Sequence, residues 1–310
     1  MPSSTFQSKR SALVTNSYRG RFAPSPSGFL HFGSLIAALA SFLDAKAQVD
    51  SQNNPGKWLV RIEDIDPPRE QIGASAAILS TLDAFGLHWD EQVLYQSQQS
   101  ELYRHTLNEL QQTSRSYYCQ CTRGEIKAIG GIYQGHCRTL HKPEHQSATR
   151  LVNQNGHDQF TDIFQGNVCC NQALANEDFI IHRKDGLFAY QLAVVVDDIY
   201  QDITHVIRGC DLLEPTARQL TLFATLDKKA PQYGHIPLAV TNDGYKLSKQ
   251  NKAPAIDNNN PQPALIAALE FLGQTPEPYL ADESVADIIT WAIKHWSREK
   301  VPTAQQIRLE

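Results

Sequence analysis

The chain has 310 residues, of which 41% are hydrophobic and 20% charged, the composition of a globular protein with a sizeable core. Its formal net charge of −5 argues against broad, nonspecific nucleic-acid binding, so an RNA partner would have to meet a local basic patch. No apolar run reaches the roughly 20 residues that cross a bilayer. We therefore expect no membrane association. The six cysteines do not form the evenly spread framework of a small secreted domain, so we expect the reducing cytoplasm.

The N-terminal residues 1–17 lack the long apolar stretch of a secretory signal. They are rich in serine, contain Lys9 and Arg10, and have no acidic residue. A transit peptide is one interpretation of this composition. A short disordered tail is the interpretation that we prefer.

Strands and helices are predicted to alternate after this tail. Residues 18–22 predict a strand, the Pro/Ser/Gly-rich segment 23–28 predicts a turn, and apolar residues recur at helical spacing over 35–43. Residues 57–64 (KWLVRIED) predict a strand that ends in carboxylates, and residues 72–86 predict a second helix. This alternation favours a doubly wound parallel sheet of the Rossmann type.

A different pattern interrupts the α/β alternation in the middle of the chain, where short polar pieces contain Cys and Gly. Regular α/β character returns with LAVVVDD at 192–198 and THVIRG at 204–209, and a helix is predicted over 215–227, with Pro215 suited to its first turn. Two amphipathic helices follow, ALIAALEFLG and SVADIITWAIKHW. The predicted organisation is a tail (1–17), the first half of a Rossmann-type domain (18–111), an insertion (112–185), the second half (186–250) and a helical C-terminal subdomain (251–310).

The strand-to-helix turn that contains HFGS at 31–34 is a candidate nucleotide site. Gly28 and Gly33 carry no side chain, so a base or a phosphate can approach the backbone. The N-terminus of a helix attracts anions, and His31 adds a hydrogen-bond donor. An ordinary turn with an incidental histidine is the alternative.

The second candidate segment is KLSKQ at 246–250, which follows the turn signal Asn242-Asp243-Gly244. Lys246 and Lys249 are placed to clamp a triphosphate and to neutralise charge as pyrophosphate leaves. Taken alone, the segment is equally typical of a solvated basic loop, because short basic motifs have a high false-positive rate.

Three cysteines, Cys119, Cys121 and Cys137, crowd into nineteen positions. Three thiolates suit Zn²⁺ in a tetrahedral, structural site, and three free cysteines are the alternative. The thiols alone leave the fourth ligand open among Tyr133 and three histidines. These histidines are His136, His141 and His145.

The two nucleotide segments together are much more specific, because they resemble the HIGH and KMSKS signatures of class I aminoacyl-tRNA synthetases in the same order. Further segments are similar to the glutamyl-tRNA synthetase branch, and in detail to its truncated paralogues, the glutamyl-Q tRNA(Asp) synthetases. They are WLVRIEDIDPPRE, YYCQCTR, GGIYQGHCR, DFIIHRKDGLFAYQLAVVVDD, THVIRGCDLLEPTARQ and YGHIPLAVTNDGYKLSKQ. The signatures depart from the general pattern at Ser34, Leu247 and Gln250, while both lysines remain.

The resemblance implies a class I synthetase fold, Mg²⁺-bound ATP and L-glutamate as substrates, and particular site residues. For glutamate it implies Arg21, Phe22, Ala23, Pro24, Ser25, Glu63, Tyr190 and Arg208. For ATP it implies His31, Gly33, Ser34 and Lys249, with His31, Lys246 and Lys249 as the catalytic residues, and it favours Tyr133 as the fourth zinc ligand. Arginine suits carboxylates because its fork donates parallel hydrogen bonds. From the residues alone, either Glu63 or Asp64 could meet the substrate ammonium.

The resemblance also implies an acceptor. Only about 60 residues follow KLSKQ, too few for the anticodon-binding domain of an ordinary glutamyl-tRNA synthetase. The truncated paralogues place glutamate on queuosine in the anticodon of tRNA(Asp), so we expect that tRNA as the partner of a monomeric enzyme. A minimal glutamyl-tRNA synthetase that charges the 3′ end and a catalytically silent RNA-binding paralogue are the alternatives.

Overall fold

Strands and helices alternate at the start of this computed structural model, as predicted. The structure describes residues 17–247 and 254–309. The helices of these ranges are α1 (Phe32–Lys46), α2 (Ala74–Ala84), α3 (Ser100–Gln112), α4 (Arg123–Ala128), α5 (Gln172–Ala175), α6 (Tyr190–Tyr200), α7 (Thr216–Thr225), α8 (Gln262–Phe271) and α9 (Val285–His295). Among the described residues, we find no helix with the length and apolar character needed to span a membrane.

The strands belong to several small sheets. They are β1 (Arg19–Phe22), β2 (Lys57–Ile62), β3 (Leu94–Tyr95), β4 (Ser116–Cys119), β5 (Ala148–Leu151), β6 (Gln159–Asp162), β7 (Gly166–Cys169), β8 (Ile180–His182), β9 (His205–Gly209), β10 (Gln232–Ile236), β11 (Leu238–Val240) and β12 (Gln306–Arg308). In the parallel part, β2 lies between β1 and β3, and β9 pairs with β10. The predicted parallel sheet is thus confirmed.

The two parallel groups meet between β1 and β9. Thr204, just before β9, donates its backbone N–H to the carbonyl oxygen of Arg19 at 2.9 Å. The spatial order is therefore β3, β2, β1, β9, β10, and it reverses direction in the chain between β1 and β9. In open α/β sheets, such a reversal leaves a crevice at the carboxyl ends of the strands, where ligands bind.

Helix α1 is the centre of the core. Leu35, Leu39 and Leu43 are fully buried, at the spacing that predicts one apolar helix face. The helix contacts β1 and β9 on one side and α8 and α9 on the other. This burial holds the first turn of α1 firmly at the carboxyl end of β1.

The predicted insertion over 112–185 has two separate parts. Strands β4, β5 and β8 form an antiparallel sheet, and Cys119 of the cysteine cluster is the last residue of β4. The hairpin of β6 and β7 instead packs against β10, and Phe164 at its tip joins the core around α1. The hairpin therefore brings residues of the insertion close to the parallel strands.

Two local features depend on contacts distant in sequence. The run LAVVVDD lies in α6, where its valines are buried. Their burial stabilises the helix although β-branched residues have a weak helix propensity. Strand β12 pairs with β11, which leads into the turn before KLSKQ. That turn forms as predicted, with Gly244 in the left-handed region at a φ of 81°.

Candidate active site

A cavity of about 240 Å³ opens at the carboxyl ends of β1, β9 and β10. The turn after β1, the first turn of α1 and the segment before residue 248 form its walls. Its polar and small lining residues include Ser25, His31, Gly33, Ser34, Gly209, Asp211 and Lys246. The cavity thus lies at the point where the strand order reverses, and it brings together residues from both signature segments.

His31 is the N-cap residue of α1. Its Nδ1 accepts a hydrogen bond from the backbone N–H of Ser34 at 3.3 Å, and the residue is buried. Because Nδ1 accepts, the neutral ring carries its proton on Nε2 and has a donor there. No acidic residue lies in the first turn of α1, so the partial positive charge of the helix end is available to an anion.

The start of KLSKQ lies directly beside α1. Leu247 donates its backbone N–H to the carbonyl oxygen of Ala239 at 2.9 Å. A Cβ atom on Gly33 would lie 3.3 Å from the Leu247 carbonyl oxygen, so glycine permits this close approach. Lys246 forms an ion pair with Asp211 across the cavity. Lys249, also predicted here, lies outside the described residues.

A buried charge cluster lies behind the turn, at the candidate glutamate site. Arg21 contacts both carboxylate oxygens of Asp198 at 3.2 Å through Nε and Nη2. Arg61 donates to Asp198 at 2.8 Å and lies 3.7 Å from Asp197. All four side chains are at most 4% exposed. Burial raises the pKa of Asp197 to about 6, whereas Arg21 and Arg61 lower the pKa of Asp198 despite its burial.

Arg208, the second predicted carboxylate ligand, is buried at the end of β9. Its Nε donates to Nε2 of His235 at 3.0 Å, and its Nη2 donates to Oγ1 of Thr216 at 2.7 Å. Within the described residues, Nη1 is buried without a hydrogen-bond partner. The remaining guanidinium nitrogen is therefore available to a ligand.

Tyr190 begins α6 close to both predicted arginines. Its pKa is raised chiefly by burial, and Arg208 and Arg21 oppose this effect while Glu63 adds to it. The phenol is therefore neutral at physiological pH and can donate a hydrogen bond. Four of the predicted residues are therefore close enough to interact electrostatically around Tyr190. They are Arg21, Glu63, Tyr190 and Arg208.

The geometry distinguishes Glu63 from Asp64, which the sequence leaves open as ammonium ligands. Both carboxylate oxygens of Asp64 accept hydrogen bonds from Ser97, at 2.8 and 2.7 Å. Glu63 Oε1 is buried and accepts no hydrogen bond in the described part of the chain, and its ion-pair contact with Arg61 Nε is 3.7 Å long. Burial raises the pKa of Glu63 to about 7, although Arg61 and Arg21 oppose the shift. The geometry favours Glu63.

A second cavity of about 340 Å³ reaches Glu63 from the surface. It shares Ser25 and Ser27 with the first cavity, and the backbone N–H of Glu63 donates to the carbonyl oxygen of Pro24 at 3.0 Å. The predicted segment from Arg21 to Ser25 therefore runs between the two cavities. Phe22, Pro24 and Ser25 line the first cavity, and Ala23 is half-buried between them.

Comparison with known proteins identifies the family of the chain. The family model described as class I tRNA synthetases (E and Q), catalytic domain, matches residues 17–290. A glutamyl-Q tRNA(Asp) synthetase of Colwellia psychrerythraea is 71% identical over 298 residues, which cover 94% of this chain and 95% of that protein. The chain belongs to the glutamyl-Q tRNA(Asp) synthetase family, within class I.

Other relatives are more distant. A glutamyl-Q tRNA(Asp) synthetase of Shigella flexneri is 54% identical over 290 residues, covering 94% of this chain and 92% of that protein. Among solved structures, a glutamate tRNA ligase from Elizabethkingia meningosepticum, crystallised in complex with its amino acid, is 25% identical with a TM-score of 0.76. That alignment covers 95% of this chain and 67% of the ligase.

The cysteine cluster forms away from the two cavities. The Sγ atoms of Cys119, Cys121 and Cys137 lie within 4.8 Å of one another. Tyr133 is buried, and its hydroxyl accepts the backbone N–H of Cys137 at 2.9 Å. His136 Nε2 lies 3.0 Å from Cys121 Sγ. The donor set therefore fits a zinc ion, with Tyr133 and His136 both beside the thiols.

Several polar residues of the site were not predicted from the sequence. Arg61, Asp197 and Asp198 are buried within otherwise apolar segments, and Asp211 follows β9 in RGCD. A signal was present, because a charge inside an apolar run must be paired when the run is buried. The partner was not evident, since Arg61 and Asp198 are 137 residues apart.

Proposed function

We propose that this protein activates L-glutamate with Mg²⁺-bound ATP as glutamyl-adenylate and transfers glutamate to queuosine in the anticodon of tRNA(Asp). The observation that carries the proposal is the shared wall of the two cavities. Ser25 lines both the cavity beside His31 and Lys246 and the cavity that reaches Glu63. This shared wall supports a position of the ATP α-phosphate next to the candidate amino-acid site. The names of the similar proteins support queuosine as the acceptor.

In the first step, an α-carboxylate oxygen of glutamate attacks the α-phosphorus of ATP. A new C–O–P bond forms, and the bond to the leaving Mg²⁺-pyrophosphate breaks. Such catalysis depends on positioning and on stabilising charge. The Nε2–H of His31 and the N-terminus of α1 would meet the phosphates from one side and Lys246 from the other. Lys249, outside the described residues, has the same role by resemblance alone.

Arg208 and Arg21 would hold the carboxylates of the substrate, and Glu63 its ammonium. Tyr190 contributes a neutral hydroxyl, and the backbone of residues 22–25 forms the wall next to ATP. In the second step, a hydroxyl of the queuosine cyclopentene ring attacks the activated carbonyl carbon. The glutamyl ester forms and AMP leaves.

Cys119, Cys121, Cys137 and Tyr133 would hold one structural Zn²⁺. The ion would connect the end of β4 to the segment before residue 138, where buried apolar residues are few. A structural zinc of this kind contributes directly to folding. We place the protein in the cytoplasm as a monomer. Light scattering on the purified protein tests the monomeric state.

The decisive experiment supplies ATP, labelled glutamate and tRNA(Asp) with or without queuosine. We expect label only in the queuosine-containing tRNA, and we expect it to survive digestion of the 3′ end. Label in both tRNAs that is lost on 3′ digestion would instead identify a minimal glutamyl-tRNA synthetase. ATP–pyrophosphate exchange with glutamate alone tests the first step, and a flat background would identify a silent RNA-binding paralogue.

Metal analysis tests the zinc site. We expect about one zinc per chain, lost in Cys119→Ser and retained in the matched variant Cys170→Ser. Tyr133→Phe and His136→Asn distinguish the fourth ligand, because only the variant of the true ligand should weaken zinc retention against a chelator. Equal retention in Cys119→Ser and Cys170→Ser would refute the site.

A further inference from the structure

A buried acid–histidine pair lies directly behind Arg208. His235 is fully buried on β10, in register with Arg208 on the neighbouring strand β9. Its Nδ1 lies 2.6 Å from Oδ2 of Asp162, at the end of β6, and its Nε2 lies 3.0 Å from Nε of Arg208. Three buried groups from three strands therefore form one chain of hydrogen bonds.

Arg208 determines the tautomer of His235 in this chain of hydrogen bonds. The Nε of arginine can only donate, so Nε2 of His235 must accept. The proton of the imidazole is then on Nδ1 and is donated to Asp162. The hydroxyl of Thr216 also lies 3.2 Å from Nε2, but its shorter contact is the hydrogen bond that it donates to the carbonyl oxygen of Leu212 at 2.8 Å.

Asp162 is itself rigidly held as an acceptor. Its Oδ1 accepts the backbone N–H groups of Phe164, Gln165 and His235, each at 3.0 Å. Hydrogen bonding from His235 lowers the pKa of Asp162 although burial opposes this, and burial lowers the pKa of His235. An ionised carboxylate and a neutral imidazole with one defined tautomer result.

One guanidinium nitrogen of Arg208 is left for a ligand. His235, Thr216 and the Leu212 carbonyl oxygen engage Nε and Nη2, and the guanidinium carbon lies 5.0 Å from the ring centre of Tyr233. Nη1 is the guanidinium nitrogen without a partner among the described residues. The orientation of the free nitrogen thus depends on the contacts that hold the other two.

We propose that Asp162 and His235 form a positioning relay that orients Arg208 toward a carboxylate of L-glutamate. The identity of the ligand rests on the proposed function. Neither residue touches substrate, and each acts through the guanidinium. The hairpin of β6 and β7, which the sequence assigns to the insertion, thereby contributes to recognition of the amino acid.

The most informative variant is Asp162→Asn. The side-chain oxygen of asparagine would keep the three backbone N–H groups, so its NH₂ group would face Nδ1 of His235. The imidazole proton would then move to Nε2, where two N–H donors would face each other and the hydrogen bond from Nε of Arg208 would be lost. A near-isosteric change therefore reverses the tautomer, as in catalytic triads where asparagine replaces aspartate.

We expect Asp162→Asn to raise KM for glutamate about 10- to 100-fold in ATP–pyrophosphate exchange, the usual effect of losing a hydrogen bond to a charged group. KM for ATP should stay within about twofold. His235→Leu should act like Asp162→Asn, whereas His235→Gln should restore much of the affinity because its amide oxygen can accept from Arg208. His205→Gln, on the same strand as Arg208, is the matched control and should leave both KM values unchanged.

Nitrogen NMR of the wild-type protein with labelled histidine reports the tautomer of His235 directly. This measurement does not depend on the folding of any variant. The proposal requires the Nδ1–H tautomer for His235, and the Nε2–H tautomer would overturn it. Equal increases of both KM values in folded Asp162→Asn, or no increase in either, would also overturn it. If the wild-type protein shows no glutamate-dependent exchange, the proposed function fails, while the tautomer still decides the relay.

Discussion

The two sides of the candidate site differ in burial and in the groups that line them. On the glutamate side, Arg21, Arg61 and Asp198 are ion-paired and almost completely buried. On the nucleotide side, the ligand would meet a backbone turn, a helix end and the pair Lys246–Asp211, whose side chains are 42% and 38% exposed. The buried side is preorganised by its own pairing, whereas the exposed side contributes little to the stability of the fold. Substitutions on the two sides should therefore have different consequences.

The largest expected effect is on stability. Asp198→Ala would leave Arg21 and Arg61 buried without their shared partner, which should lower the free energy of unfolding by about 3–5 kcal/mol. Asp211→Ala, which removes the partner of Lys246 at the surface, should cost less than about 1 kcal/mol. Urea unfolding of both variants makes the comparison, and equal losses would show that the two sides do not differ in this way.

Arg208→Ala should abolish glutamate-dependent ATP–pyrophosphate exchange, lowering kcat/KM for glutamate at least about 100-fold, because a carboxylate loses a charged, buried partner. Arg208→Lys should rescue little, since an ammonium cannot reproduce the fork of the guanidinium. KM for ATP serves as the internal control. An unchanged KM for glutamate in Arg208→Ala would remove this residue from the site.

His31→Asn separates catalysis from folding on the nucleotide side. Asparagine is a favourable N-cap residue, so the stability of the protein should change little. The rate of exchange should fall about 100-fold, because a donor to the phosphates is lost. Stopped-flow measurement of adenylate formation, beside thermal unfolding, tests both statements. A large loss of stability with an unchanged rate would assign His31 a purely structural role.

The smallest effect concerns pH. With a pKa of about 7, Glu63 loses most of its charge between pH 8 and 6, so KM for glutamate should rise about tenfold over that range. Asp64→Asn should keep this dependence, and Glu63→Gln should lack it. A pH-independent KM in the wild-type protein would contradict the assigned role.

The same carboxyl group makes a stability prediction of defined sign. The pKa of Glu63 in the folded protein lies above its ordinary value of 4.5, so between about pH 4.5 and 7 the native state holds a proton that the unfolded chain releases. The contribution of Glu63 to the free energy of unfolding is therefore lost as the pH rises through this window. Urea unfolding at several pH values should show a steeper decline for the wild-type protein than for Glu63→Gln.

Local signals predicted the elements that carry the site. The turn residues at 23–28, the apolar spacing in α1 and Pro215 before α7 each encode a local preference, and the structure confirms these elements. The relay of Asp162 and His235 carries no such signal. Its members are 73 residues apart, and only the packing of the hairpin against β10 brings them together.

What the sequence by itself determined was therefore the local elements and the candidate residues of the site, because HFGS and KLSKQ are short segments whose chemistry is local. The tertiary structure alone decided which buried groups contact Arg21 and Arg208, and that Asp64 accepts hydrogen bonds from Ser97 whereas Glu63 Oε1 accepts none among the described residues. The physical reason is that a buried charge must find its partners in space, and those partners come from strands and helices far apart in the chain.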